Sequence, residues 1–158
     1  MIIKQMPNDE FLPFVIEELQ KVEGKTVTLP LRGRSMRPFL EDGRDKALLM
    51  AVKEVKVGDA VLAEIYKGHF VLHRIIAING EQVTLRGDGN LNNEYCRLQN
   101  VRAKAIGFYR KGRTQLDSTD GKKWRVYSWI WMHLYPIRRY LLFVLHPHIP
   151  QRFKLKTK

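Results

Sequence analysis

Cysteine is almost missing from this sequence. Cys96 stands alone, which excludes an internal disulfide framework and leaves that residue to read as a small core or loop side chain. Long apolar runs are missing too: no stretch reaches the roughly 18 to 20 uninterrupted apolar residues of a bilayer-spanning helix. The opening MIIKQMPNDEFLPF lacks the basic start, apolar core and small-residue cleavage site of a secretory leader. A metal cluster is not expected, because His69 and His73 stand four apart with no carboxylate or cysteine at a ligand-like spacing. Together these absences predict a chain kept in the cytoplasm.

Acid is scarce only in one region. Residues 1–101 carry 14 Lys+Arg and 14 Asp+Glu, whereas residues 102–158 carry 14 and 2, with no acid after Asp120. The whole formal charge of +12 therefore sits in the last third. Such asymmetry predicts a neutral body and a basic appendage that meets an anionic surface.

The pattern of the body is short-period. Residues 8–24, NDEFLPFVIEELQKVEG, open on an N-cap candidate and acids. They carry Phe11, Val15, Leu19 and Val22 on one face, and so predict a short amphipathic helix. KTVTLPLRG alternates like a strand, and Pro30 points to an edge position. Further strands are expected at DKALLMAV, DAVLAEIY, HFVLHRIIAI, EQVTLRG and VRAKAIGFYR, most of them separated by short glycine-containing turns. The expected body is a mostly-β domain over residues 1–112 with a short N-terminal helix, followed by a helical extension over 113–158.

Within this body, LRGRSMRPFLEDG (31–43) sets Ser35 in a turn after a strand. Alone, Ser35 is a common turn residue. As a nucleophile it would need an imidazole to take its proton and a carboxylate to orient the imidazole. HFVLHRIIAI places Val71, His73, Ile75 and Ala77 on one face of a strand and Leu72, Arg74 and Ile76 on the other. LRGDGNLNNEY then supplies Asp88 and Glu94 in a turn-rich loop. Separately, His73 reads as a hydrogen-bonded core histidine, Asp88 as a turn residue and Glu94 as a solvated acid.

The order and flanks of these stretches carry more than their composition. GRSMRPFLEDGRDKALL, VKVGDAVLAEI, HRIIAI and LRGDGNLNNEY, in that order, resemble the signal peptidase I and LexA-type superfamily of serine peptidases, over about residues 24–109. The resemblance implies that Ser35 is the nucleophile and that His73 replaces the usual lysine base, as in the histidine-using archaeal and endoplasmic-reticulum signal peptidases. It implies an endopeptidase acting on a peptide or protein substrate, cleaving a leader or signal segment, with no cofactor.

Three positions depart from the family pattern. Glu94 stands where the histidine-type enzymes carry their second aspartate, six residues after Asp88; either acid could orient His73, and the tight Gly87-Asp88-Gly89 turn leans slightly to Asp88. Gly33 stands where many bacterial relatives have an oxyanion-holding serine, so backbone N–H groups, that of Ser35 among them, would take that role. Arg44-Asp45 follows Gly43 where the family has Gly-Asp directly. Met36 and Pro38 read either as a core residue and a turn residue or, by the resemblance, as walls of a groove for the small side chains before the cut.

The extension KKWRVYSWIWMHLYPIRRYLLFVLHPHIPQRFKLKTK holds all three tryptophans. Arg138-Arg139 splits its charge-free runs, and Pro136 is expected to break the helix. Aromatics with flanking bases suit one or two helices in the interface of an anionic membrane, on its cytoplasmic side, through residues 124–158; such an anchor would replace the N-terminal span usual in bacterial signal peptidases. The same helices could instead pack on the body or on a second subunit. Two other classes stay open. A LexA-type regulator would cut itself, but the sequence before the β pattern leaves no room for a helix-turn-helix. An inactive module would bind nucleic acid or membrane through its basic end, and would leave the four ordered motifs unexplained; no specific nucleic acid is expected.

Overall fold

A computed structural model describes residues 8–145. Helix α1 spans Asn8–Lys21, and eight strands follow: β1 (Thr26–Pro30), β2 (Lys46–Ala51), β3 (Ala60–Tyr66), β4 (His69–Asn79), β5 (Gln82–Arg86), β6 (Glu94–Arg97), β7 (Val101–Tyr109) and β8 (Leu116–Ser118). Helix α2 (Lys122–His133), a 3-10 turn at Tyr135–Ile137 and helix α3 (Arg138–Leu145) close the described chain. The fold is mostly β, as the alternation predicts.

The sheet runs β1-β2-β7-β3-β4-β5-β6, and every pairing is antiparallel. β1 is an edge strand, the position where Pro30 costs no ladder hydrogen bond. β2 takes one edge of β7. The other edge is shared, with β3 on Val101–Lys104 and β8 on Gly107–Tyr109. Strands β6 and β8 are absent from the sequence-based expectation, being only four and three residues long and too short for alternation to show.

Two apolar clusters flank the sheet. One gathers Leu12, Val15 and Leu19 of α1 over Leu49, Ala105 and Phe108 of β2 and β7, with Met36, Phe39 and Leu40 from the loop between β1 and β2. Trp124 of α2 belongs to the same cluster and meets Phe39 and Phe108 at ring separations of 4.9 and 5.0 Å. The other packs Val61, Ala63, Ile75, Val83 and Leu85 with Cys96, whose thiol burial pushes up in pKa. Beyond residue 112, β8 pairs with β7 and Trp124 of α2 joins the core. Helix α2 ends at His133, and the 3-10 turn around Pro136 separates it from α3. That is the helix break expected there.

Leu49, fully buried between α1 and the sheet, tests this packing. Leu49→Ala should lower unfolding stability by about 2–5 kcal/mol. Thr28→Ala, on the exposed side of the edge strand, should stay within about 0.5 kcal/mol; urea titrations of both variants check the contrast.

Candidate active site

The loop from Leu31 to Asp45 leaves β1 and returns to β2, and its two ends are tied together. Leu31 N–H donates to the Asp45 carbonyl (3.0 Å) and Gly43 N–H to the Leu31 carbonyl (3.2 Å). The Asp45 carboxylate is buried and accepts the amides of Glu41 and Lys111, both at 2.9 Å, and a bidentate pair from Arg44 at 2.7 Å. Burial works against its charge, but the Arg44 guanidinium and the two amides outweigh burial and hold the carboxyl below its ordinary range. Arg44-Asp45 is therefore the clamp of this loop. Gly33, at φ 82°, bends the chain through the left-handed region into the turn that carries Ser35.

Ser35 is half-buried there. Beside it lies a small cavity of about 40 Å³ walled by Leu31, Gly33, Met36, Leu40 and Leu72 together with the charged Arg32 and Glu41. Met36 thus serves both the core and this wall, while Pro38 is not among the lining residues.

The Gly87–Asn90 turn presses against the Ser35 loop. Gly89 N–H donates to the Ser35 carbonyl at 2.8 Å, and Asn90 N–H closes the turn on the Gly87 carbonyl at 3.0 Å. Neither glycine can be replaced without a clash. A Cβ on Gly89 would stand 2.6 Å from the Arg34 carbonyl oxygen; one on Gly87 would stand 2.3 Å from the Ser35 carbonyl oxygen and 3.1 Å from His73 Nε2. The Ser35 backbone and the outer nitrogen of His73 therefore converge on one point, and Gly87 leaves that point empty.

The other ring nitrogen of His73 faces an acid. Ile75, Leu85 and Glu94 form a cross-strand row over β4, β5 and β6. Directly paired residues share a face, and His73 lies two residues from Ile75, so Glu94 points to the side of the sheet that His73 uses. Glu94 Oε2 comes to 2.6 Å from His73 Nδ1. The oxygen lies off the N–H direction, since the contact fails as an aligned hydrogen bond and neither atom has another partner. Glu94 thus lies in close contact with the imidazole. Burial lowers the His73 pKa from its ordinary 6.5, and the Glu94 and Asp88 carboxylates only partly restore it. His73 is accordingly neutral at pH 7, the form a general base requires.

Asp88, the acid favoured from the sequence, is engaged elsewhere. Arg74 follows His73 in β4 and points to the opposite face, where its Nε and Nη2 grip both Asp88 oxygens at 2.8 and 2.7 Å. Arg74 Nη1 donates to the Gly58 carbonyl (3.0 Å) and to Ser128 Oγ of α2. Tyr127 of α2 donates its hydroxyl to Asp88 Oδ2 (3.1 Å), and Trp131 its indole N–H to the Asp88 carbonyl (2.9 Å). Burial and the nearby Asp88 carboxylate push the Tyr127 pKa up, so the phenol keeps its proton and remains a donor. Burial also opposes the Arg74 charge, but Asp88 outweighs it and the guanidinium pKa rises. The residues that sequence reasoning missed are these partners, Arg74, Tyr127, Ser128 and Trp131. A signal for the first existed: an arginine amid apolar strand residues needs a buried carboxylate, and the GDG turn offers one.

Among the described residues no cluster of three or more His, Cys, Asp or Glu could hold a metal ion. No protein-family model matches this chain, and no curated protein matches it in sequence.

The two acids should respond differently to removal. Asp88→Asn strands a buried guanidinium and should cost about 3–5 kcal/mol, whereas Glu94→Gln, at the partly exposed rim, should melt close to the parent; thermal unfolding of the pair reads this directly. His73 adds a pH term. Because its folded pKa is lowered, stability is fully present above the unfolded value of about 6.5 and is lost as pH falls from there toward the folded value. Urea midpoints between pH 7 and 5 should drop less steeply for His73→Gln than for the parent.

Proposed function

We propose that this protein is a signal-peptidase-like serine endopeptidase, with Ser35 as nucleophile, His73 as general base and Glu94 as the acid that orients His73. The observation that carries the reading is the meeting of the Ser35 loop and His73 Nε2 over Gly87, with Glu94 on the far side of the imidazole. Activating a serine requires hydroxyl, imidazole and carboxylate in that order, and this placement of the Ser35 loop, His73 and Glu94 is compatible with it. It sits on the residues that carry the family resemblance.

In this reading Ser35 Oγ attacks the carbonyl carbon of a substrate peptide bond as His73 Nε2 takes its proton. His73 then delivers that proton to the leaving amine. Water, deprotonated by the same imidazole, attacks the acyl-serine ester, and the imidazolium returns that proton to Ser35 Oγ as the acyl–oxygen bond breaks and the new carboxyl group leaves. Glu94 stabilises the imidazolium formed in each half of the cycle. The Ser35 amide donates in none of the backbone hydrogen bonds that hold its loop, those of Arg37 N–H to Arg34 and of Gly89 N–H to the Ser35 carbonyl among them, and it supplies an oxyanion donor. The small cavity beside Ser35 suits a small side chain on the acyl side of the cut.

A fluorophosphonate probe, followed by mapping of the labelled peptide, tests the nucleophile. Label should appear on Ser35 and be lost in Ser35→Ala and His73→Gln; label elsewhere, or none at any pH from 6 to 9, would overturn the assignment. Labelling rate should rise with pH through a midpoint below the ordinary histidine value, since burial depresses His73. A rise confined to pH above 8 would make a lysine the base. Glu94→Gln should slow labelling by about 10²- to 10⁴-fold with the fold intact.

A further inference from the structure

Helix α2 has two dissimilar faces. The inner one, Trp124, Tyr127, Ser128 and Trp131, is consumed by the core and by the Arg74–Asp88 pair. The outer one carries Val126, Trp129 and Ile130 into solvent, with Trp129 63% exposed. Helix α3 adds Tyr140, Phe143 and Val144, the last 75% exposed. Exposed tryptophan, isoleucine and phenylalanine this close in sequence exceed what a solvated surface ordinarily carries. A groove of about 740 Å³ runs between α2 and the turn before β3, floored by Val57, Trp124 and Ile130 and rimmed by Lys56, Lys122 and Arg125. Its one carboxylate, Asp59, is already paired with Lys104 at 3.0 Å. Neither Ser35 nor His73 lines it.

The charge around this surface is predominantly positive. Residues 121–158 contain nine Lys+Arg and no Asp or Glu, and Lys122, Arg125 and Arg139 have no acidic partner among the described residues. No described helix is long and apolar enough to cross a membrane. An apolar stripe bordered by unpaired cations, on helices too short to span, matches the interface of an anionic bilayer. Aromatic and aliphatic groups enter the acyl boundary there while lysine and arginine meet phosphates. A nucleic acid would leave the aliphatic groups of α2 and α3 unused.

We infer that the outer face of α2 and α3 is a docking surface for an anionic phospholipid bilayer. The inner face of the same helix holds Asp88, whose turn holds the Ser35 carbonyl. The inference stands independently of the peptidase reading. Vesicles of phosphatidylglycerol mixed with phosphatidylcholine, and of phosphatidylcholine alone, test it on the full chain by co-sedimentation and tryptophan fluorescence. The expected result is at least tenfold stronger partition onto the anionic vesicles, with a blue shift in emission. Trp129→Phe should abolish the shift, because Trp124 and Trp131 are already buried. Trp129→Ser/Ile130→Ser and Lys122→Gln/Arg125→Gln should each weaken partition several-fold without lowering the melting temperature, while Ser35→Ala should bind like the parent. The inference is overturned by equal affinity for both vesicle types, or by anionic binding that both double variants leave unchanged. It also fails if binding comes without a Trp129 shift and a single-stranded oligonucleotide reproduces it, or if a dimer dissociated by the Trp129 change accounts for the exposed face.

Discussion

A single buried ion pair joins the parts of this protein that matter for its proposed chemistry. Arg74 and Asp88 are each about 1% exposed and meet through two parallel hydrogen bonds. Each is bonded in sequence to a residue of the site. Arg74 follows His73, and strand alternation sends the two side chains to opposite faces. Asp88 lies between Gly87 and Gly89, one facing His73 Nε2 and the other holding the Ser35 carbonyl. Locking Arg74 to Asp88 therefore sets the Ser35 loop against the strand that carries the base.

Burying two charges is costly, and such a pair is weak evidence of net stability. What it supplies here is position. The guanidinium has further acceptors in the Gly58 carbonyl and Ser128, and lies 4.6 Å from the Trp124 ring centre. The carboxylate has further support from Tyr127. With their hydrogen-bonding capacity used in this way, rearrangement of either group would leave polar atoms unpaired.

Helix α2 is the element that dries this pair. Its Trp124 fills the core under the sheet, its Tyr127 and Trp131 close over Asp88, and Arg138 just beyond it donates to the Trp131 carbonyl at 2.8 Å. Farther along, Arg86 lies 3.5 Å from the Tyr135 ring centre, and the Tyr135 hydroxyl donates to the Leu91 carbonyl. The basic segment thus wraps the turn that supports Ser35. Its positive charge serves two ends, with Arg138 turned inward to carbonyls and Arg125 and Arg139 left outside.

Much of this architecture was legible in local sequence. Alternation marked six of the eight strands, Pro30 the edge, Pro136 the break between helices, and the SM, HR and GDGN stretches the loop, strand and turn that come together. Each is a preference that a few neighbouring residues express by themselves. The identity of the acid beside His73 was not legible, because local sequence leans only slightly to Asp88 over Glu94 and the two are separated by what lies across from them. The register of β6 on β5 turns Glu94 to the His73 face, and the arginine on the opposite face of β4 claims Asp88. The same holds for α2: its helical pattern is local, but which aromatic stripe is buried depends on a guanidinium 54 residues earlier that needs Ser128 and a dry cover. Pairing across the sheet and the burial of charge are set by groups far apart in the chain, so only the tertiary structure decided them.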